Sequence, residues 1–333
     1  MQLESVRQIK AEVSDEIVRA AAGNAPLSTL FASSEPPSLG LGLAAKPGGG
    51  FLLAVRTDSP VVAERMRLRA KGEAHVRFVQ PRAIPPVWEP PAASAMAGAA
   101  PHSPAWLQSR RRPLEAGLQV GIRGVGFVGT LGAIVRDALG VYGLSNSHVV
   151  ADGGSTPLGT LIGQPFGSLP EEWIGALARF GPYSRQTPNI VDWGLVRLAK
   201  IEVAGAYNGA LGDNVRGARE TSPGDLGARV MKVGRTNGVQ HGVISAVEID
   251  GLTVDFGNHG LLRWNDQLEV TSLDGSPEPF SRAGDSGSAI LDTAGRMVAL
   301  LFAGGRDSTG RDRTFANRAN SVLDAAGVEL VVA

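Results

Sequence analysis

From Pro113 to the C-terminus the chain advances in short apolar or β-branched runs, each cut off by Gly, Asp or Asn: GTLGAIVRD, VDWGLVRL, VISAVEI, LTVDFG, LEVTSL, SAILD and MVALLFAG. Runs of strand length punctuated by turn formers predict an antiparallel β sandwich or barrel. Asn237 and Gly238, just ahead of VISAVEI, add a hairpin-turn signal. NSVLDAAG, near the end, reads as a last short helix stopped by Gly327. There is no repeat of fixed period, although two barrels of similar make-up fit this stretch.

The first part of the chain is patterned differently. Leu3, Val6, Ile9, Val13 and Ile17 recur three or four apart, the spacing of an amphipathic helix. LGLGLAA and FLLAVRT flank a KPGGG turn and read as a hairpin, VVAERMRLRA reads as a helix and EAHVRFV as a strand. Together they predict a small α+β domain over residues 1–90. Residues 91–112 are rich in Ala, Pro and Ser without a sustained period, so they read as a linker to the β domain of 113–333. With 333 residues, 43% of them apolar, both parts can hold a core.

Composition removes several classes of function. Lys plus Arg and Asp plus Glu number 32 each, so no whole-molecule field recruits nucleic acid or an anionic membrane. No stretch reaches the roughly 20 apolar residues of a membrane helix. The absence of cysteine excludes disulfides, thiol nucleophiles and thiolate metal sites and suits a reducing compartment. MQLESVRQIKAEVSDEIV lacks the apolar stretch of a signal peptide, and a soluble, cytoplasmic protein is expected. Carboxylates are scattered and no His pair has metal-ligand spacing, so neither a metal nor another cofactor is expected.

Three motifs carry chemistry. GDSGS, Gly284 to Ser288, precedes the strand SAILD. A serine hydroxyl needs a base and an oxyanion site to react, and Gly284 lets the chain turn so that the N–H groups of Gly284 and Ser286 converge. The same letters also suit a polar tight turn. Of the five histidines, only His148, in YGLSNSHVVA, sits where a strand end enters a turn or helix that can hold an imidazole rigidly. A satisfied core histidine is its bland alternative. Asp192, within NIVDWGLVRL, interrupts an apolar strand, so it is either exposed or buried with a partner such as an imidazole.

SNSHVVA, VDWGLVRL and GDSGSAI, in that order, resemble the His, Asp and Ser blocks of trypsin-like serine proteases. GTLGAIVRD, KVGRTNG and MVALLFAGG followed by TFAN extend the resemblance over nearly all of 113–333, and the KPGGGF hairpin is similar to one in a cytoplasmic branch that holds the plant narrow leaf protein and bacterial relatives. The resemblance implies a double six-stranded β-barrel and a serine endopeptidase acting on protein or peptide substrates through an acyl-enzyme. It assigns His148, Asp192 and Ser286 to a catalytic triad, the Gly284 and Ser286 N–H groups to the oxyanion hole, and Phe302, Ala303 and Gly304 to pairing with the substrate backbone.

The same resemblance makes Phe280 a specificity-pocket residue, which suits small or apolar substrate side chains rather than Lys or Arg. Ser288 departs from the usual second glycine. Secreted relatives often mature by placing a new N-terminus against the Asp of the Ser block, which leaves the partner of Asp285 open. A catalytically idle scaffold of the same fold is the competing expectation, with the N-terminal domain carrying partner or self-association contacts. GVGFVG, Gly124 to Gly129, matches a dinucleotide fingerprint by letter but runs into another strand instead of opening a helix. Ser286 is not in a G-x-S-x-G elbow, since Gly287 follows it directly.

Overall fold

A computed structural model describes residues 1–21, 37–83, 99–199, 207–208, 212–276 and 278–332. The proposed linker stretch 91–98 therefore lies outside the described residues. The opening periodicity forms the helix Leu3–Ala21, whose Val6 and Val13 are fully buried against the sheet beneath. Strands β1 (Leu39–Ala45) and β2 (Phe51–Thr57) pair in unbroken antiparallel register about a turn in which Gly48, Gly49 and Gly50 all take positive φ. The helix Pro60–Arg69, capped by the Ser59 hydroxyl, carries the chain over to β3 (Ala74–Phe78), parallel to β2.

The short apolar runs after residue 113 become strands, as their turn-bounded pattern dictates. Strands β4 (Gln119–Ile122), β5 (Val128–Thr130), β6 (Ala133–Asp137), β7 (Gly140–Ser145), β8 (Leu161–Gly163), β9 (Trp173–Phe180) and β10 (Gly194–Leu198) build one sheet. GVGFVG ends in β5, so it opens no helix. A minor ladder joins β11 (Tyr207–Asn208) to β12 (Asp213–Asn214). The second large sheet uses β13 (Arg229–Gly234) and β14 (Gly238–Asp250), while β15 (Leu252–Asp255) and β16 (Leu261–Trp264) form a side hairpin. It continues with β17 (Gln267–Ser272), β18 (Ala289–Asp292), β19 (Met297–Arg306) and β20 (Asp312–Arg318). The helix Ala319–Ala326 ends at Gly327 in the left-handed conformation, and β21 (Glu329–Leu330) returns to β6.

Strand order in the second sheet is β13-β18-β19-β20-β17-β14, and β13 also pairs with β14, which closes a six-stranded barrel. The first sheet runs β21-β6-β7-β10-β9-β8-β4-β5, with no closing pair among the described residues, and is a half-barrel. The chain is thus mainly β, with one closed barrel and one half-barrel. The N-terminal strands are not a separate sheet: β1 pairs with β14, so β1-β2-β3 extend the closed barrel on one side. No helix among the described residues is long and apolar enough to cross a membrane.

Candidate active site

Strand β7 delivers the chain into a four-residue helix, Ser147–Val150, that is buried throughout and holds His148 at its second position. Asp192 stands in extended chain just ahead of β10 rather than inside a strand, because its backbone bonds elsewhere: its N–H donates to the Asn317 Oδ1 at 2.9 Å and its C=O accepts from Asn146 Nδ2 at 2.8 Å. The Asp192 side chain is wholly buried, which removes the exposed alternative. Three donors satisfy its carboxylate: the Ser147 N–H at 2.7 Å and the Tyr183 hydroxyl at 2.8 Å on Oδ1, and His148 Nδ1 at 2.5 Å on Oδ2.

A carboxylate only accepts, so the ring hydrogen of a neutral His148 sits on Nδ1 and the lone pair on Nε2. That Nε2 is buried and has no hydrogen-bond partner among the described residues. Burial, and then the Asp192 charge, push the Tyr183 phenol well above its ordinary pKa, so it remains a neutral donor. Asn317, on β20, also donates to Gln267 of β17 at 2.6 Å, so the closed barrel braces the Asp192 loop of the half-barrel.

Ser286 lies on the turn ahead of β18, between Gly284 at φ +96° and Gly287 at φ +93°. A Cβ on Gly287 would stand 2.2 Å from the Thr130 carbonyl oxygen and 2.3 Å from Ser145 Oγ, so the turn must be glycine there. Thr130 reaches across from β5: its N–H donates to the Ser286 C=O and its hydroxyl to the Gly284 C=O, both at 2.9 Å. The Thr236 hydroxyl takes the Ala283 C=O at 2.8 Å. With these carbonyls held, the Gly284 and Ser286 N–H groups donate to no other described residue.

Asp285 answers the question its motif left open. It is fully buried and paired with Lys232 Nζ at 2.7 Å, and it accepts the Thr236 and Arg282 N–H groups at 2.8 and 2.9 Å. Burial lowers the pKa of Lys232, and the Asp285 charge opposes that shift.

Gly129 of β5 lies between Val149, the residue after His148, and the Ser286 backbone, since a Cβ there would meet Val149 at 2.5 Å and the Ser286 carbonyl oxygen at 3.0 Å. Phe256 sets its ring edge-on to His148 at 5.7 Å and stacks on Phe302 at 6.3 Å. The serine hydroxyl donates to the Phe302 C=O at 3.3 Å instead of bonding the imidazole.

Next to Ser286 opens a cavity of about 720 Å³, lined in part by Ala303, Gly304, Ser281, Arg82, Arg282 and Arg306. Phe280, expected in its wall, is instead fully buried in the barrel core against Gly242 and Val270, because its N–H is tied to Asp312 at 3.0 Å. Ser281, bonded through its hydroxyl to Thr314 at 2.6 Å, forms the wall in its place. Tyr183, Asn317, Thr130, Thr236 and Lys232 were not singled out in the sequence. Of these, Lys232 alone left a signal, a charge inside the apolar run VMKVG.

Among solved structures similar to this chain, Thermobifida fusca protease A is 21% identical, with a TM-score of 0.45, over 66% of this chain and 98% of its own. The Cellulomonas bogoriensis chymotrypsin is 19% identical, with a TM-score of 0.46, over 66% and 98%. Nocardiopsis protease is 17% identical, with a TM-score of 0.43, over 65% and 97%. No family model and no curated protein matches the chain.

Proposed function

We propose that this protein is a serine endopeptidase with Ser286 as nucleophile, His148 as base and Asp192 as the group that orients the base. The observation that carries the proposal is the buried His148–Asp192 pair, whose remaining ring nitrogen has no partner among the described residues, together with a serine on a glycine-held turn. Rotation of the Ser286 side chain away from the Phe302 C=O brings its hydroxyl to Nε2. The imidazole takes the proton as Oγ attacks the scissile carbonyl, and Asp192 stabilises the imidazolium. The Gly284 and Ser286 N–H groups receive the oxyanion; one such donor is worth about 10²–10³ in rate. The imidazolium then protonates the leaving amine, and water, activated by the same base, releases the acyl group.

The Lys232 ammonium on Asp285 supports a site that is formed without a new N-terminus. Arg82, Arg282 and Arg306 in the cavity wall disfavour a Lys or Arg side chain there, and the Asp312 carboxylate is already engaged by Ser272 and the Phe280 N–H. Work in the cytoplasm, within the branch that contains the narrow leaf protein, is the setting that the motif resemblance supports.

A fluorophosphonate probe tests the core of the proposal. Wild-type protein is expected to label at Ser286 and Ser286→Ala to stay unlabelled while keeping its fold by circular dichroism. Equal labelling of the two would sink catalysis and leave the idle scaffold standing.

A further inference from the structure

Alternate residues of a strand direct their N–H and C=O groups to one edge, and an unpaired edge is a template for an extended peptide. On β19 the Phe302 C=O touches the Ser286 hydroxyl, so the edge that begins there leads away from the nucleophile along the acyl side of a bound substrate. Two residues on, Gly304 offers the next N–H and C=O. Both are taken by this chain itself: the Gly304 N–H donates to the Arg82 C=O at 3.0 Å and the Arg82 N–H to the Gly304 C=O at 2.9 Å, an antiparallel bridge.

The segment is fixed from its other side as well. Pro81 accepts from the Asp255 N–H, and the Ala83 N–H donates to the Asp255 C=O, both at 2.9 Å. Val79 and Ala83, 3% and 2% exposed, are packed in the cluster that includes Phe256 and Phe302. Gln80 also crowds Gly305, whose Cβ would meet its carbonyl oxygen at 3.1 Å. The Arg82 side chain, 66% exposed and 3.6 Å from the Asp255 carboxylate, lines the cavity.

We propose that residues Gln80–Ala83 occupy the edge of β19 where the third acyl-side residue of a substrate would pair, so that the enzyme recognises about two residues before the scissile bond and no more by backbone pairing. This rests on the peptidase reading above. Recognition then depends on the cavity beside Ser286 and on the leaving-group side of the cleft.

Acetylated fluorogenic peptides with a common final pair of residues and two, three or four residues before the leaving group provide one test. The expected kcat/KM changes by no more than about twofold across the series, because the two backbone hydrogen bonds to Gly304 are not available. A rise of about tenfold or more on adding the third residue, the worth of those two bonds, overturns the proposal. Amide hydrogen exchange of the full chain gives a readout independent of turnover: slow exchange at Gly304 and Arg82 is expected, and exchange as fast as in an open strand edge overturns closure. Failure of the probe to label Ser286 defeats the peptidase reading, whereas a fast Gly304 amide in an active enzyme defeats this inference alone.

Discussion

Beside Ser286, the residue that most constrains the turn is Asp285, because a fully buried carboxylate must have its oxygens satisfied. Lys232, Thr236 and Arg282 supply four donors' worth of constraint between them when the Thr236 hydroxyl on Ala283 is included, and each bond fixes part of the 282–286 backbone. Removing the ammonium leaves a buried charge without its counter-charge, which costs about 3–5 kcal/mol. Lys232→Met is therefore expected to lower the melting temperature and to slow fluorophosphonate labelling at temperatures where the variant is still folded. Labelling at the wild-type rate in folded Lys232→Met would show that the turn does not depend on this pair.

At the scale of elements, the N-terminal hairpin is tied to the closed barrel by charge as well as by the β1–β14 ladder. Arg56 of β2, 1% exposed, forms a buried ion pair with Glu269 of β17, which also accepts from the Ser245 hydroxyl at 2.7 Å and from Arg313 at 3.2 Å. Burial raises the Glu269 pKa, but Arg56 and Arg313 outweigh it and hold the carboxyl at about 2. Arg56→Met is expected to destabilise the protein by about 3–5 kcal/mol, since one guanidinium is lost from a buried carboxylate. Denaturant unfolding followed by tryptophan fluorescence and circular dichroism reads this. A single transition moved to lower denaturant is expected, and an early loss of the hairpin with an unmoved barrel transition would contradict the coupling.

Across the whole molecule the same network predicts acid lability. Burial first, then Arg56 and Arg77, depress His75 from 6.5 to about 4. The folded state thus binds the His75 proton less readily than the unfolded chain. Its contribution to stability is complete above about pH 6.5 and is lost as pH falls through about 4. Glu269, held at about 2 against an ordinary 4.5, contributes above pH 4.5 and loses its contribution as pH falls through about 2. Melting temperature is expected to decline progressively below pH 6.5, and His75→Gln to flatten the upper part of that decline. A profile unchanged by His75→Gln would remove that residue from the linkage.

The strands and the turn that carries Ser286 were legible in the sequence because they depend on local physics: short apolar runs cut by turn formers, and GDSGS needing a backbone only glycine adopts easily. The terminal helix, with Gly327 as its stop, was legible for the same reason. Phe280 was not, because whether an apolar side chain lines a pocket or fills a core depends on the tether its backbone finds, here Asp312 from β20. Asn317 and Thr130 escaped notice because each acts on a residue far along the chain and in the other sheet, and Tyr183, which acts on nearby Asp192, because it belongs to no motif of its own. The sequence alone determined a β protein with His148, Asp192 and Ser286 in that order along the chain. Only tertiary structure decided that Lys232 neutralises Asp285 and that Arg82 closes the Gly304 edge, since both pairings join segments whose separate patterns say nothing of one another.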